Sequence, residues 1–199
     1  MIDERVRATI EQLEAQDTRE RADPSIPHVE RCRAVQPATG RFLFSIVAPQ
    51  TDCEVLEVGS SRGLSTIWLA AAARILGGRV VTLEQDPRKI EAWRTNVEAA
   101  GVADWCQLIE GDARETMPAI PDVFDVVFID AEKDDYEFYF QTALTKVEAG
   151  ALVVADNVLS HRDELGGYSE RRQSDPDLLS VTVPLDSGLE LTSVLRSFR

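Results

Sequence analysis

Apolar positions recur along this chain with two different periods. Over residues 3 to 22, Val6, Ile10 and Leu13 fall at helical spacing among charges of both signs, which predicts an amphipathic first helix. The segment Asp23-Pro24-Ser25-Ile26-Pro27 interrupts it, because proline lacks a backbone donor and biases its predecessor toward extended geometry. This divides the chain into a helical extension over 1–27 and a main domain over 28–199. In the main domain, short β-branched runs alternate with longer helical patterns. Strands are predicted at Glu54–Val58, Arg79–Glu84, Trp105–Glu110, Phe124–Ile129 and Ala151–Ala155, with Ser180–Pro184 and Glu190–Leu195 closing the chain. Helices are predicted near 64–76, 87–100 and 134–147. In the second, Ile90, Trp93, Val97 and Ala100 share a face and Gly101 supplies a stop. In the third, Tyr136, Tyr139, Phe140, Ala143, Leu144 and Val147 form the apolar stripe. Such alternation predicts a doubly wound α/β domain, a parallel sheet with helices on both faces. The polar stretch 158–178, with Gly166-Gly167 and Pro176, reads as a surface loop after the fifth strand, where open α/β sheets keep their ligands, and so as a substrate lid.

Composition narrows the classes of function. At 199 residues and 44% hydrophobic, the chain can bury one sizeable core but not two ordinary domains. No stretch approaches the roughly 18 consecutive apolar residues of a membrane helix. The start Met1-Ile2-Asp3-Glu4-Arg5 lacks the apolar centre of a signal peptide, so a cytoplasmic protein without membrane attachment is expected. A formal net charge of -14 repels phosphate backbones, and the densest basic pair, Arg171-Arg172, is flanked by Glu170 and Asp175. No nucleic-acid partner is therefore expected. Cys32, Cys53 and Cys106 are dispersed and odd in number, as expected of reduced structural thiols.

Candidate chemistry sits at the predicted strand ends. Val55-Leu56-Glu57-Val58-Gly59-Ser60-Ser61-Arg62-Gly63-Leu64-Ser65-Thr66 reads as strand, glycine-bounded turn and helix start. There a backbone can approach a ligand, and the helix N-terminus offers amides to an anionic group. Its glycines are four apart, unlike the dinucleotide pattern GxGxxG. Glu84 ends the second strand, where a carboxylate can accept from both hydroxyls of a ribose. Gly111-Asp112-Ala113 follows the third and could set a carboxylate against an adenine amino group. Each signal alone is weak, since tight turns need glycine and strand ends are often acidic. Their order at three successive strands is what carries weight.

The runs EVGSSRG, VTLEQDP and GDA resemble class I S-adenosylmethionine-dependent methyltransferases. The run Phe128-Ile129-Asp130-Ala131-Glu132-Lys133-Asp134-Asp135-Tyr136, followed by Val153-Val154-Ala155-Asp156-Asn157-Val158, is similar to the catechol and caffeoyl-coenzyme A O-methyltransferase family, including its bacterial members. The likeness runs from about Val35 to the C-terminus. It implies a Rossmann-like methyltransferase fold whose mostly parallel seven-stranded sheet has an antiparallel last strand. It also implies that Glu57 and Gly59 shape the methionine end of S-adenosylmethionine, that Ser65 binds its carboxylate, and that the Val35 backbone helps from the preceding helix. Glu84 would hold the ribose, Asp112 and Ala113 the adenine, and Asp130 would border both the cofactor and a metal.

Asp130, Asp156 and Asn157 would bring three oxygen ligands to one sheet edge, a hard set suited to magnesium or another divalent cation such as manganese or calcium. By residue type alone, Asp130 could equally cap a helix and Asp156-Asn157 form a turn. Lys133, three residues after Asp130, is the candidate general base, its pKa depressed by a neighbouring cation. His161 could line the acceptor pocket but is left outside the catalytic set. The implied reaction moves a methyl group to a hydroxyl of a small catechol-like or phenolic acceptor, and the resemblance favours a homodimer; the first helix could pack on the domain, cover the active site or offer Val6, Ile10 and Leu13 as a partner face. Two departures bear on the acceptor: Glu132 stands where the animal enzyme has a tryptophan, and Val158–Glu164 is polar. The rival readings are a tRNA hydroxyuridine O-methyltransferase, a non-catalytic S-adenosylmethionine-binding protein and, for the fold alone, a nicotinamide-dependent dehydrogenase.

Overall fold

Val55, Leu56 and Val58 of β1 (Glu54–Val58) are all buried, although successive side chains of a strand point to opposite faces. A strand buried on both sides needs a layer on each, which is what a parallel sheet between helices provides. The computed structural model describes residues 2–198; Met1 and Arg199, the outermost residues of the two expected segments, lie outside the described residues. Five further strands alternate with helices: β2 (Arg79–Glu84), β3 (Cys106–Glu110), β4 (Phe124–Ile129), β5 (Val147–Ala155) and β6 (Leu178–Val183), before β7 (Leu189–Val194) ends the series. The sheet order is β3-β2-β1-β4-β5-β7-β6, and β7 runs antiparallel to both neighbours while all other pairings are parallel. The chain order reverses direction across the sheet between β1 and β4, so their C-terminal ends open the crevice where doubly wound folds bind ligands.

Local signals account for several boundaries. Helix α4 (Pro87–Ala100) has Pro87 in its first turn, Asp86 accepting from the Arg88 amide, and Gly101 closing it at φ 69°. Other expectations shift. Val147 opens β5 instead of ending a helix, and α6 (Tyr136–Leu144) is shorter than predicted. Trp105 belongs to a 3-10 turn before β3. Three helices have no counterpart among the predictions: α2 (Pro37–Val47), α5 (Ala113–Ala119), which is short and contains Pro118, and a third within the predicted loop.

The expected loop at 158–178 is mostly a helix, α7 (Arg162–Ser174). Its two glycines disfavour helix, but burial of Leu165, Tyr168 and Arg172 overrides that weak local preference. The Arg172 guanidinium lies 4.1 Å from the Phe140 ring and 3.9 Å from the Tyr168 ring, a cation held between two aromatic faces. The stretch is therefore anchored, and of it only 158–161 precede the helix.

For the first helix, α1 (Glu4–Ala22), packing within the chain takes up the apolar face, at the expense of the partner-face reading. Val6, Ile10 and Leu13 join one core cluster with α3 (Leu64–Ala73), Trp93 and Val97. Arg5 donates to the carbonyls of Ala99 and Glu98 at the end of α4, at 3.1 and 2.6 Å. These side chains are buried within the chain and are not free to form a partner face. No helix among the described residues is long and apolar enough to cross a membrane. Leu13→Ala should destabilise the fold by about 2–5 kcal/mol in urea unfolding, as a fully buried leucine does; a loss under about 1 kcal/mol would put α1 outside the core.

Candidate active site

Gly59 follows β1 at φ 87°, and a β-carbon there would lie 2.4 Å from the carbonyl oxygen of Asp130. Only glycine fits where the loops after β1 and β4 touch. The Asp130 amide donates to the Val58 carbonyl at 3.0 Å, continuing the β1–β4 pairing beyond the strands. Behind this contact the turn carries Ser61, whose amide donates to Glu84 Oε2 at 2.8 Å. The amides of Gln85 and Asp86 donate to Glu84 Oε1, each at 2.9 Å. Three main-chain donors thus fix the plane of the Glu84 carboxylate at the end of β2. Asp112 caps α5, accepts from the Arg114 amide at 2.8 Å and pairs with the Arg114 guanidinium, whose hydrogen bond holds its carboxyl below the usual range.

Of the residues expected around a cofactor, Val35, Gly59, Ser65, Glu84, Asp112, Ala113 and Asp130 all line one cleft of about 210 Å³. Glu57 does not. It is completely buried beneath the cleft, where the Thr66 hydroxyl donates to it and Trp93 Nε1 donates in turn to Thr66 at 3.0 Å. Val35 approaches from the extended segment before α2 and not from a helix. The same wall includes Arg33 and Ala34, which no sequence signal marked; Tyr139, singled out only as core, also reaches the cleft.

A second cleft, about 240 Å³, is lined by Asp130, Lys133, Asp156, Asn157 and His161, and shares Arg33, Ala34, Val35 and Asp130 with the first. Asp156 continues β5, buried, with its amide donating to the Ile129 carbonyl at 3.0 Å. Asn157 adopts φ 66°, a left-handed conformation that asparagine tolerates better than most residues, and its amide donates to Asp156 Oδ1 at 2.6 Å. Burial, then the charge of Asp130, pushes the Asp156 carboxyl well above the usual carboxylate range. Lys133 Nζ, with its side chain only 7% exposed, donates to Asp130 Oδ1 at 3.2 Å, to the Ala131 carbonyl at 3.0 Å and to the Tyr136 hydroxyl at 2.8 Å. The Tyr136 hydroxyl in turn donates a hydrogen bond to the Asp156 carbonyl at 3.1 Å, tying the ends of β4 and β5 together. His161 precedes α7 and contacts Ser160 Oγ through Nδ1 at 3.0 Å. Among the described residues, no group of three or more His, Cys, Asp and Glu side chains is arranged to hold a metal; two acidic residues, Asp130 and Asp156, stand at the ends of β4 and β5 with Asn157 beside them, and a third, Asp17, lines the cleft from α1.

The buried Glu57 has a consequence for stability. Burial raises its carboxyl from 4.5 to about 7, so the folded chain keeps a proton that the unfolded chain has lost over that interval. The group's favourable contribution is complete below about pH 4.5 and disappears as pH rises through about 7. Glu57→Gln should therefore gain on the wild type between pH 5 and 8, by up to about 3 kcal/mol in urea unfolding. A difference that stays flat across that range contradicts the buried, proton-retaining carboxyl.

Comparison with known proteins agrees with this geometry. The model of the O-methyltransferase family matches residues 15–176. A catechol O-methyltransferase of Mycobacterium tuberculosis is 42% identical over 167 residues, which are 81% of this chain and 73% of that relative. The crystal structure of cofactor-bound Rv0187 from MTB superposes with a TM-score of 0.80 at 30% identity, covering 95% of this chain and 90% of the other. The O-methyltransferase TomG of Streptomyces achromogenes, involved in tomaymycin synthesis and solved in complex with SAM, gives 0.76 at 27% identity, covering 97% and 90%. With a family match over most of its length and the seven-stranded fold in place, the chain belongs to the O-methyltransferase family, the class I S-adenosylmethionine-dependent enzymes that its motifs resemble.

Proposed function

We propose that this enzyme moves the methyl group of S-adenosylmethionine to one hydroxyl of a small catechol-like acceptor, with a divalent cation between Asp130, Asp156 and Asn157. The observation that carries the reading is the meeting of the two clefts at Asp130 and Val35. In the first cleft, Glu84 would accept from the ribose hydroxyls with a carboxylate already oriented by three amides. Ser65 and the Gly59 turn would face the methionine end, and Asp112 with Ala113 the adenine. Glu57 would act from beneath, supporting the α3 start through Thr66.

The donor set fits the cation. Asp156 is buried beside a second carboxylate, and no cationic side chain pairs with it among the described residues, so its ionised form is poorly supported by the chain alone. Hard oxygen donors of this kind suit magnesium, and two carboxylates balance its charge. The chemistry such an ion supplies is stabilisation of an ionised hydroxyl. Lys133 is the catalytic residue of this reading. In its neutral form, Nζ takes the acceptor's hydroxyl proton; the oxygen lone pair then attacks the methyl carbon, the carbon–sulfur bond breaks, and S-adenosylhomocysteine leaves. Ala131 and Tyr136 hold Nζ in place, so the remaining catalysis comes from alignment.

Incubation with S-adenosylmethionine, magnesium and catechol should yield the mono-O-methyl product. Lys133→Met should lower kcat by about 10²–10⁴-fold, the usual span for losing a general base, with cofactor affinity much less affected. Glu84→Gln should weaken cofactor binding about tenfold, the value of a charge-assisted hydrogen bond. Cofactor binding without transfer to any dihydroxy-aromatic acceptor contradicts the reading.

A further inference from the structure

One wall of the second cleft is built from the segment that crosses over from α1 to α2, and it is cationic. His28, Arg31 and Arg33 line it, joined by Arg21 from the last turn of α1, in a chain whose net charge is -14. The neighbouring carboxylate, Asp17, is already engaged by the Ala34 amide and by Arg21. Arg31 makes no ion pair among the described residues. Its Nε donates to the Ile26 carbonyl at 3.0 Å and its Nη2 to the Asp23 carbonyl at 3.2 Å, which fixes the guanidinium and leaves Nη1 without a protein acceptor. Arg33 reaches Glu132 through Nη1 at 3.0 Å, but that carboxylate side chain is 67% exposed, and an exposed pair of this kind is readily exchanged. Partial desolvation first, then the charges of Arg33 and Arg31, lower the pKa of His28. The remaining lining is polar as well, with Ser160, His161 and Ser187 opposite and only Ala34 and Val35 apolar. An acceptor with a greasy substituent would find no matching surface. One with an anionic substituent would find the fixed Arg31 guanidinium, with Nη1 still to donate, and the Arg33 guanidinium lining the same cleft.

We propose that the acceptor is a vicinal dihydroxy-aromatic acid, whose carboxylate, on the ring or a short side chain, is bound by Arg31 and Arg33 while its hydroxyls face Asp130 and Asp156. The proposal rests on the methyl-transfer reading above and specifies its substrate class. Arg31 and Arg33 are then specificity-determining residues, selecting the acid over neutral catechols of the same shape.

The test compares 3,4-dihydroxybenzoate with the isosteric 3,4-dihydroxybenzamide, by kcat/KM and by calorimetric binding to protein saturated with S-adenosylhomocysteine and magnesium. The wild type should prefer the acid about tenfold or more in both readouts, as expected for one retained charge-assisted hydrogen bond. Arg31→Gln should bring the ratio toward one, and Arg31→Lys should restore part of it by keeping the charge without the two backbone hydrogen bonds that fix the guanidinium. Arg33→Gln, which removes an exposed ion pair with Glu132, should lower the ratio independently and guards against misfolding of the Arg31 variant; because Arg33 also lines the cofactor cleft, its effect is read as the acid-to-amide ratio on protein saturated with S-adenosylhomocysteine. Equal use of acid and amide by the wild type, or a preference that survives the Arg31→Gln Arg33→Gln double variant, overturns the proposal while leaving methyl transfer intact. Transfer to a hydroxylated uridine in RNA with none to the acid overturns it as well. If cofactor binds and neither acceptor is methylated, the methyl-transfer reading itself fails, and this proposal with it.

Discussion

The site depends on a backbone contact that admits no side chain. Where the loop after β1 meets the loop after β4, Gly59 lies against the Asp130 carbonyl so closely that any β-carbon would collide with it. Because these two strands sit at the point where the sheet's winding reverses, the contact decides how the crevice is divided. It places Asp130 on the border of both clefts, one facing Glu84 and Asp112, the other facing Asp156 and Lys133. A methyl group passing from one bound molecule to another needs such a shared border, since alignment of the reacting atoms supplies much of the rate.

Charge is distributed to match. The acidic surplus of the chain is spread over its surface, yet at the sheet edge two carboxylates are brought together and one is buried. Facing them, the crossing from α1 to α2 contributes arginines. That crossing is held at both ends: α1 is sunk into the core through Val6 and Leu13, and the amide of Ala34 is bonded to Asp17. The first helix is thus less an appendage than a support for one wall of the second cleft.

How much of this was legible in the sequence follows from the range of the forces involved. β1, β2, β4 and α4 lie where the apolar periodicity and the caps put them, because those signals are local and unopposed. α7 was hidden because Gly166-Gly167 speaks for a loop, whereas Tyr168 and Arg172 are drawn into a helix by packing against Phe140, which lies outside their own segment. The cleft-lining residues at strand ends, Glu84, Asp112, Asp130, Asp156 and Asn157, could be picked out because a parallel sheet must bring such ends to one edge. The contributions of Arg31, Arg33 and His28 could not. They belong to an irregular segment with no period, and their place in the cleft is set by how that segment folds back over the sheet. The partner face drawn from Val6, Ile10 and Leu13 failed for the complementary reason: an amphipathic helix shows that it buries one side, not against what.

The central claim is that acceptor binding is governed by a cation held at Asp130, Asp156 and Asn157, next to the cofactor cleft. The most direct test is calorimetric titration of catechol onto protein saturated with S-adenosylhomocysteine, with magnesium and after chelation, for the wild type and Asp156→Ala. The account predicts heat of binding only for the wild type with magnesium present. Binding of equal strength after chelation, or in Asp156→Ala, would contradict it.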